Sequence, residues 1–328
     1  MKDIFSNKVV LITGGTGSFG KKCVEMLLER HKPAVIRIMS RDELKQWEME
    51  KLFNSDPRLR FFIGDIRDKD RLERAMDGAH IVIHAAALKH VPICEYNPFE
   101  AIRTNIIGAQ NLIDAAIDHN IEKVLAISTD KAVNPVNLYG ASKMCMERLF
   151  VAGNTYVGGT RQTRFSCVRY GNVVGSRGSI APLFKKQRET GTITITDERM
   201  TRFWITLEQA VEFVINCTEK MSGGEVFVPK IPSMKVTEFA KAIAPDCEVK
   251  YTGIRPGEKI NECLLTDDEA RHTLELDDFF VVEPEFHWWT NDEHWKNGKK
   301  LPDGFRYSSE TNDAWLSDED MKGILKKL

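Results

Sequence analysis

The sequence has little that would staple it together or pull it toward a charged partner. Its 328 residues hold seven cysteines, at positions 23, 94, 145, 167, 217, 247 and 263, with no CxxC and no two closer than Cys247 and Cys263. That spacing excludes a disulfide or zinc framework, and no metal site is expected. Excess charge is also missing: 46 lysines and arginines stand against 48 aspartates and glutamates, a net charge of -2. No global field draws the chain to nucleic acid or an anionic membrane, so any anionic ligand has to be held locally. The longest apolar run, Ala79 to Leu88, is broken by histidine. It falls far short of the ~20 residues that cross a bilayer. Residues Met1 to Lys8 lack the apolar stretch of a secretory signal, which makes the reducing cytoplasm the expected compartment. There is no fixed-period repeat and no low-complexity tract.

What is present is the balance of a globular chain, 42% hydrophobic and 29% charged. Strand patterns at 8–13, 34–39, 59–63, 81–85, 124–128 and 164–168 alternate with helical patterns at 21–30, 43–53, 67–76, 99–119 and 140–152. Parallel neighbours need long crossovers, so this alternation predicts an α/β fold with a doubly wound parallel sheet of about six strands. Residues 1–167 are the expected dinucleotide-binding domain. Residues 168–328 read mainly as a smaller C-terminal substrate lobe and tail, with a helix near 207–219 returning to the sheet. Beyond Thr266 the chain turns acidic and aromatic, and Trp288, Trp289, Trp295 and Trp315 read as apolar anchors for a tail.

The first strand runs into Thr13-Gly14-Gly15-Thr16-Gly17-Ser18-Phe19-Gly20 and then an amphipathic helix. Glycines at 14, 17 and 20 allow a sharp turn, close approach of a pyrophosphate, and tight helix packing. The helix N-terminus supplies free N–H groups, which also makes Thr16, Ser18 and Phe19 cofactor candidates. An NAD site usually offers a carboxylate at the end of the second strand, and here that place holds Ser40-Arg41, with Lys45 one helical turn on. A hydroxyl and a guanidinium suit a 2′-phosphate, so NADP is the expected cofactor. The adjoining Asp42 leaves open a reading of Arg41 as a surface residue. Asp65 and Ile66 after the third strand are placed beside the adenine. Ala85 and Ala86 after the fourth leave room for the cofactor, although a helix cap and a plain buried strand would show the same residues.

Tyr139 and Lys143 stand four apart and share one helix face. A nearby ammonium stabilises phenolate and draws a tyrosine down from about 10, toward general-base work. A buried tyrosine beside a solvated lysine would have the same spacing, but this pair follows a fifth strand downstream of a glycine turn. Thr129-Asp130-Lys131 falls where that strand ends, at the ligand-binding edge of an open α/β sheet. Two ionisable groups beside a hydroxyl suit an acid/base pair, and equally an ordinary surface ion pair.

These residues resemble the extended short-chain dehydrogenase/reductase superfamily, through the TGxxGxxG turn at 13–20 and the YxxxK pair at 139 and 143. A narrower similarity is to the inverting UDP-N-acetylglucosamine 4,6-dehydratases, the family that opens the pseudaminic acid pathway. It is carried by SRDELK at 40–45, HAAALKHVP at 84–92, STDKA at 128–132, NPVNLYGASK at 134–143 and RYGNVVGSRGS at 169–179. MTRFWI at 200–205, PKIPSM at 229–234 and GIRPGEK at 253–259 continue it to about residue 265. The resemblance implies a UDP-N-acetylglucosamine hydro-lyase, homo-oligomeric and NADP-dependent. Tyr139 would deprotonate the C4 hydroxyl, Lys131 the C5 carbon, and Asp130 would assist loss of the C6 hydroxyl. Retaining relatives carry Glu after the Asp, where this chain has Lys131. The family pattern also points to Asn172, Arg202, Arg255 and Glu258 for substrate, with Lys89 beside cofactor and sugar; each arginine would equally suit an interlobe salt bridge. An NADP-dependent C4 or C5 epimerase remains an alternative, and a noncatalytic NADP-sensing protein a further one. The sensor has no need of the four groups at 130, 131, 139 and 143, and the epimerase keeps the C6 hydroxyl.

Overall fold

The computed structural model describes residues 3–176, 178–285 and 295–327. Trp288 and Trp289 lie outside the described residues. The strands β1 (Val9–Thr13), β2 (Val35–Ser40), β3 (Leu59–Ile63), β4 (Ile81–His84), β5 (Lys123–Ile127) and β6 (Arg164–Val168) run parallel in the order 3-2-1-4-5-6. The central strands are buried on both faces, as their continuous apolar runs require. Helices α1 (Ser18–Arg30), α2 (Glu43–Leu52) and α3 (Lys69–Met76) make the first crossovers. The order reverses between β1 and β4, which opens a crevice at the carboxyl edge.

Among the described residues the sheet has ten strands rather than about six. Val226–Pro229 adds to β6 in parallel, and Phe279–Val282, Thr273–Glu275 and Lys299–Lys300 continue antiparallel. Each addition is four residues or shorter, too little chain to display a strand period. The helical pattern at 99–119 is likewise divided. Helices Pro98–Ile102 and Gly108–Asp118 flank a π-turn, Arg103–Ile107, for which hydrophobic periodicity has no signature.

The main core surrounds this sheet and includes Ala210, Val211, Val214, Ile215 and Cys217 of helix Leu207–Lys220, which starts at a Thr206–Gln209 capping box. A second core, with Phe184, Ile193, Trp204, Met234, Phe239 and Met321, holds the smaller lobe together. Trp204 and Phe239 stack there at 4.1 Å. In the C-terminal region Trp295 packs edge-on against Phe227 and Phe279, whereas Trp315 is partly exposed and donates to the Asn312 carbonyl at 2.6 Å. All seven cysteines are free. Among the described residues no helix is long and apolar enough to cross a membrane.

Arg169, just past β6, is buried between two carboxylates. Its Nη2 lies 2.7 Å from both Glu147 Oε2 and Glu269 Oε1, tying helix Leu138–Gly153 to the turn Asp267–Ala270. Removing one partner from such a set strands buried charge at a cost of about 3–5 kcal/mol. Arg169→Leu is therefore expected to lower unfolding stability by that amount in urea titration.

Candidate active site

The glycine turn is shaped by a close approach. Gly14 has φ +66, and a Cβ there would come 2.8 Å from the backbone of Ala86, so the turn and the end of β4 admit no side chain between them. Gly20 is packed against Gly15, whose carbonyl oxygen would sit 2.2 Å from an added Cβ. No side chain caps α1 at Gly17, and its first turn has no acidic residue. This leaves a helix N-terminus suited to an anion.

From this turn a cavity of about 1020 Å³ runs along the carboxyl edge of the sheet. It is lined by Gly14, Thr16, Gly17, Ser18, Phe19, Ser40, Arg41, Lys45, Asp65, Ile66, Ala85, Ala86 and Lys89, and further on by Thr129, Asp130, Lys131, Tyr139, Lys143 and Asn172. Gly20 packs behind the wall.

At the β2 end the polar groups hold one another. Ser40 Oγ accepts from Gln46 Nε2 at 3.0 Å. Asp42 caps α2 through the Lys45 N–H at 3.1 Å and pairs with the Lys45 ammonium. Arg41 reaches Asp65 at 3.8 Å with its side chain 58% exposed. Burial would raise Asp65, but Arg67 at 2.7 Å outweighs it and keeps this carboxyl below its ordinary range.

The other end is built by a second close approach. A Cβ on Gly140 would lie 2.1 Å from the Lys131 carbonyl oxygen, so glycine lets helix Leu138–Gly153 start directly against the turn Asp130–Ala132. Asn137 caps that helix by accepting from the Gly140 N–H at 2.8 Å. Tyr139 is thereby set beside Thr129 and Lys131. Burial pushes its phenol up to about 12, against the pull of the Lys131 charge. Lys143 points elsewhere: its Nζ lies 3.0 Å from Met146 Sδ, and burial brings it down to about 8. The cation acting on the phenol is Lys131 rather than the lysine at helical spacing.

Asp130 is 1% exposed. Its Oδ1 accepts from Thr129 Oγ1 at 2.8 Å and from Lys131 Nζ at 3.0 Å, while Oδ2 is buried without a hydrogen-bond partner. Lys131 Nζ also lies 3.1 Å from Glu262 Oε1. Burial alone would pull this lysine down, but Asp130 and Glu262 outweigh it, so the resting amine is an ammonium. Thr129 and Asp130 are buried and Lys131 is part-buried, and all three face the cavity.

Of the substrate candidates, Lys89, Lys131 and Asn172 face the cavity, and Asn172 Oδ1 is buried without a partner. Arg202, Arg255 and Glu258 are not part of its lining. Arg202 donates to the Thr201, Ile260 and Lys259 carbonyls at 2.7, 2.8 and 3.0 Å, which spends its fork on the loop preceding Glu262. Arg255 is exposed, and the Glu258 carboxylate accepts from its backbone N–H at 3.2 Å.

Three groups escaped the sequence reading. Glu262 lies just beyond the Arg-Pro-Gly-Glu-Lys run and has no local pattern of its own. Thr104, on the π-turn, lines the cavity with an unpartnered buried hydroxyl. His84, at the end of β4, bonds Thr13 Oγ1 through Nδ1 at 2.8 Å, and burial brings it down to about 3, which keeps it neutral.

A Rossmann-type sheet with a glycine turn at its switch point and tyrosine, lysine and carboxylate groups at its carboxyl edge defines an extended short-chain dehydrogenase/reductase. The chain belongs to the family described as polysaccharide biosynthesis protein, whose model matches residues 10–284. It is 52% identical over 330 residues to the UDP-N-acetylglucosamine 4,6-dehydratase (inverting) of Campylobacter jejuni, covering 98% of each chain. It is 41% identical over 287 residues to the UDP-glucose 4-epimerase of Rickettsia rickettsii, covering 85% of this chain and 84% of that one. Pen from Bacillus thuringiensis matches with a TM-score of 0.90 at 39% identity, over 99% of this chain and 98% of that one. The Thermus thermophilus UDP-glucose 4-epimerase, solved in complex with NAD, gives 0.65 at 25% identity, over 76% and 88%.

Proposed function

We propose that this chain is an inverting UDP-N-acetylglucosamine 4,6-dehydratase that uses a bound nicotinamide dinucleotide. The observation that carries the reading is Lys131 Nζ held 3.0 Å from the buried Asp130 carboxylate, at the cavity wall beside Tyr139. The dinucleotide fits the Gly14 cradle, which a Cβ would fill, and the uncapped end of α1. When bound, it would supply a hydride acceptor for C4 and a hydride donor for C6.

This chain's own residues move the protons. Burial holds the resting phenol protonated, and Tyr139 acts in the phenolate form that the Lys131 charge favours, taking the proton of the C4 hydroxyl; the resulting ketone acidifies C5. The Asp130–Lys131 pair holds one proton; passing it across the 3.0 Å bond gives a neutral amine and a carboxylic acid. The amine takes the C5 proton, and the acid gives its proton to the C6 hydroxyl, which leaves as water. C5 takes a proton from solvent on the face opposite its departure, which inverts that centre and yields UDP-2-acetamido-2,6-dideoxy-β-L-arabino-hexos-4-ulose, and the phenol releases its proton to solvent. Thr129 donates to Asp130 at 2.8 Å, and the C5 proton now on the amine returns the Asp130–Lys131 pair to its starting form. Water loss is the only net change. Lys143, Lys89 and Asn172 then serve cofactor and sugar. Arg202 shapes the loop before Glu262 rather than clamping the diphosphate.

The similarity to UDP-glucose 4-epimerases supports a second reading, C4 epimerisation, which would retain the C6 hydroxyl. Purified protein given UDP-N-acetylglucosamine without added cofactor is expected to form the 6-deoxy-4-keto sugar by NMR; recovery of only unreacted or C4-epimerised sugar would overturn the dehydratase.

NADP is the proposed form of the cofactor, with Arg41 and Lys45 taking the 2′-phosphate. Arg41→Ala is expected to weaken NADPH binding about tenfold and leave NADH unchanged in fluorescence titration. Equal losses for both would refute that preference. A cytoplasmic homo-oligomer feeding pseudaminic acid synthesis completes the reading. Light scattering of the purified protein is expected to give a multiple of the 37.4 kDa chain mass, and a monomer would refute the assembly.

A further inference from the structure

Lys131 has a second carboxylate partner that does not reach the cavity. Glu262 is 2% exposed, with Oε1 at 3.1 Å from Lys131 Nζ. Its backbone is fixed on both sides: its N–H donates to Ser309 Oγ at 2.9 Å, and its carbonyl accepts from the Ser309 N–H at 2.8 Å. The next residues, Cys263–Leu265, pair with Tyr307–Ser308. A carboxylate so rigidly placed against an active-site amine has a position set by the smaller lobe and the C-terminal segment, not by the turn that carries Lys131.

The two carboxylates flanking the amine are not equivalent. Glu262 faces further cations, Lys259 Nζ at 3.8 Å from Oε2 and Arg202 Nε at 3.8 Å from Oε1. Asp130 is held by the Thr129 hydroxyl and by Lys131, with no other cation among the described residues within ion-pair distance, and both Asp130 Oδ2 and Glu262 Oε2 are buried without a hydrogen-bond partner. A proton placed on Glu262 would deprive two cations of their anion in a site shielded from water. A proton placed on Asp130 leaves that compensation intact.

We propose that Glu262 is a positioning residue for the dehydration step, anchoring the Lys131 amine and, by keeping its own charge against Lys259 and Arg202, directing the lysine's proton to Asp130. The inference rests on the dehydratase reading above. The outcome of that transfer is the neutral amine and carboxylic acid that C5 deprotonation and C6 hydroxyl loss require. Once the amine takes the C5 proton, Glu262 stabilises the ammonium formed, which makes Lys131 the stronger base. The charged and titratable groups around the amine are Asp130, Glu262, Arg202, Lys259 and Tyr139.

The test compares Glu262→Gln, which keeps the shape and removes the charge, with Glu262→Asp, which keeps the charge. For Glu262→Gln, kcat is expected to fall at least about tenfold while KM stays within about threefold, because the weakened base acts after binding. Solvent-deuterium exchange at C5 falls with kcat. The ascending limb of the kcat–pH profile, which reports loss of the second proton from the Asp130–Lys131 pair, moves down by roughly one pH unit, since losing a neighbouring anion makes the pair easier to deprotonate. Glu262→Asp keeps the limb near its wild-type position. An unmoved limb in Glu262→Gln, or a loss confined to KM, overturns the proposal. If Glu262→Gln does not fold, Lys259→Met replaces it: removal of a cation is expected to move the limb upward, and an unmoved limb again overturns the proposal. Wild-type protein that forms no 6-deoxy-4-keto sugar in the same assay overturns the dehydratase reading and this inference together. Wild-type dehydration with unaffected variants overturns Glu262 alone.

Discussion

Two buried carboxylates flanking one part-buried ammonium make an expensive arrangement, because each charge taken from water loses several kcal/mol of hydration that only well-placed partners return. At Lys131 those partners come from opposite halves of the chain, Asp130 from the end of β5 and Glu262 from the loop stabilised by Arg202 and Ser309. The cavity has its shape only while these halves stay together. The C-terminal segment, to which composition assigns no chemistry, supplies the hydroxyl and backbone groups that fix Glu262. The buried Arg169 set performs a comparable task outside the cavity, joining helix Leu138–Gly153 to residue 269.

Two close backbone approaches decide where the reacting groups stand. Gly14 against Ala86 brings the phosphate-binding turn to the edge of β4, and Gly140 against the Lys131 carbonyl brings the tyrosine helix to the acid/base turn. Any side chain at either place would separate the two ends of one cavity. The switch in strand order between β1 and β4 puts both on the same edge of the sheet. Tyr139, Thr129, Asp130 and Lys131 thus form one connected set of hydrogen bonds and charges, and that connection is what allows proton removal at one carbon to be coupled to hydroxyl loss at another.

Much of this was legible in the residues. Alternating strands and helices gave the parallel sheet, because crossover length and apolar runs are local properties. The glycine turn and the Asp130-Lys131 dipeptide were legible for the same reason. Other parts were not. The four short strands that residues after 225 add to the main sheet carry no period, and the π-turn at 103–107 looks like uninterrupted helix. Helical spacing paired Tyr139 with Lys143, yet rotamer choice in a buried site sent that ammonium toward Met146. Arg202 had the chemistry of a diphosphate clamp, but three backbone carbonyls lie closer to its fork.

By itself the amino-acid sequence determined the sheet, the nucleotide-binding turn and the kinds of group available for catalysis, since each is written in neighbouring residues. Only the tertiary structure decided which charges meet. Glu262 reaches Lys131 through a fold that closes more than a hundred residues of chain, and electrostatic coupling depends on distance in space and on exclusion of water, neither of which a linear spacing encodes.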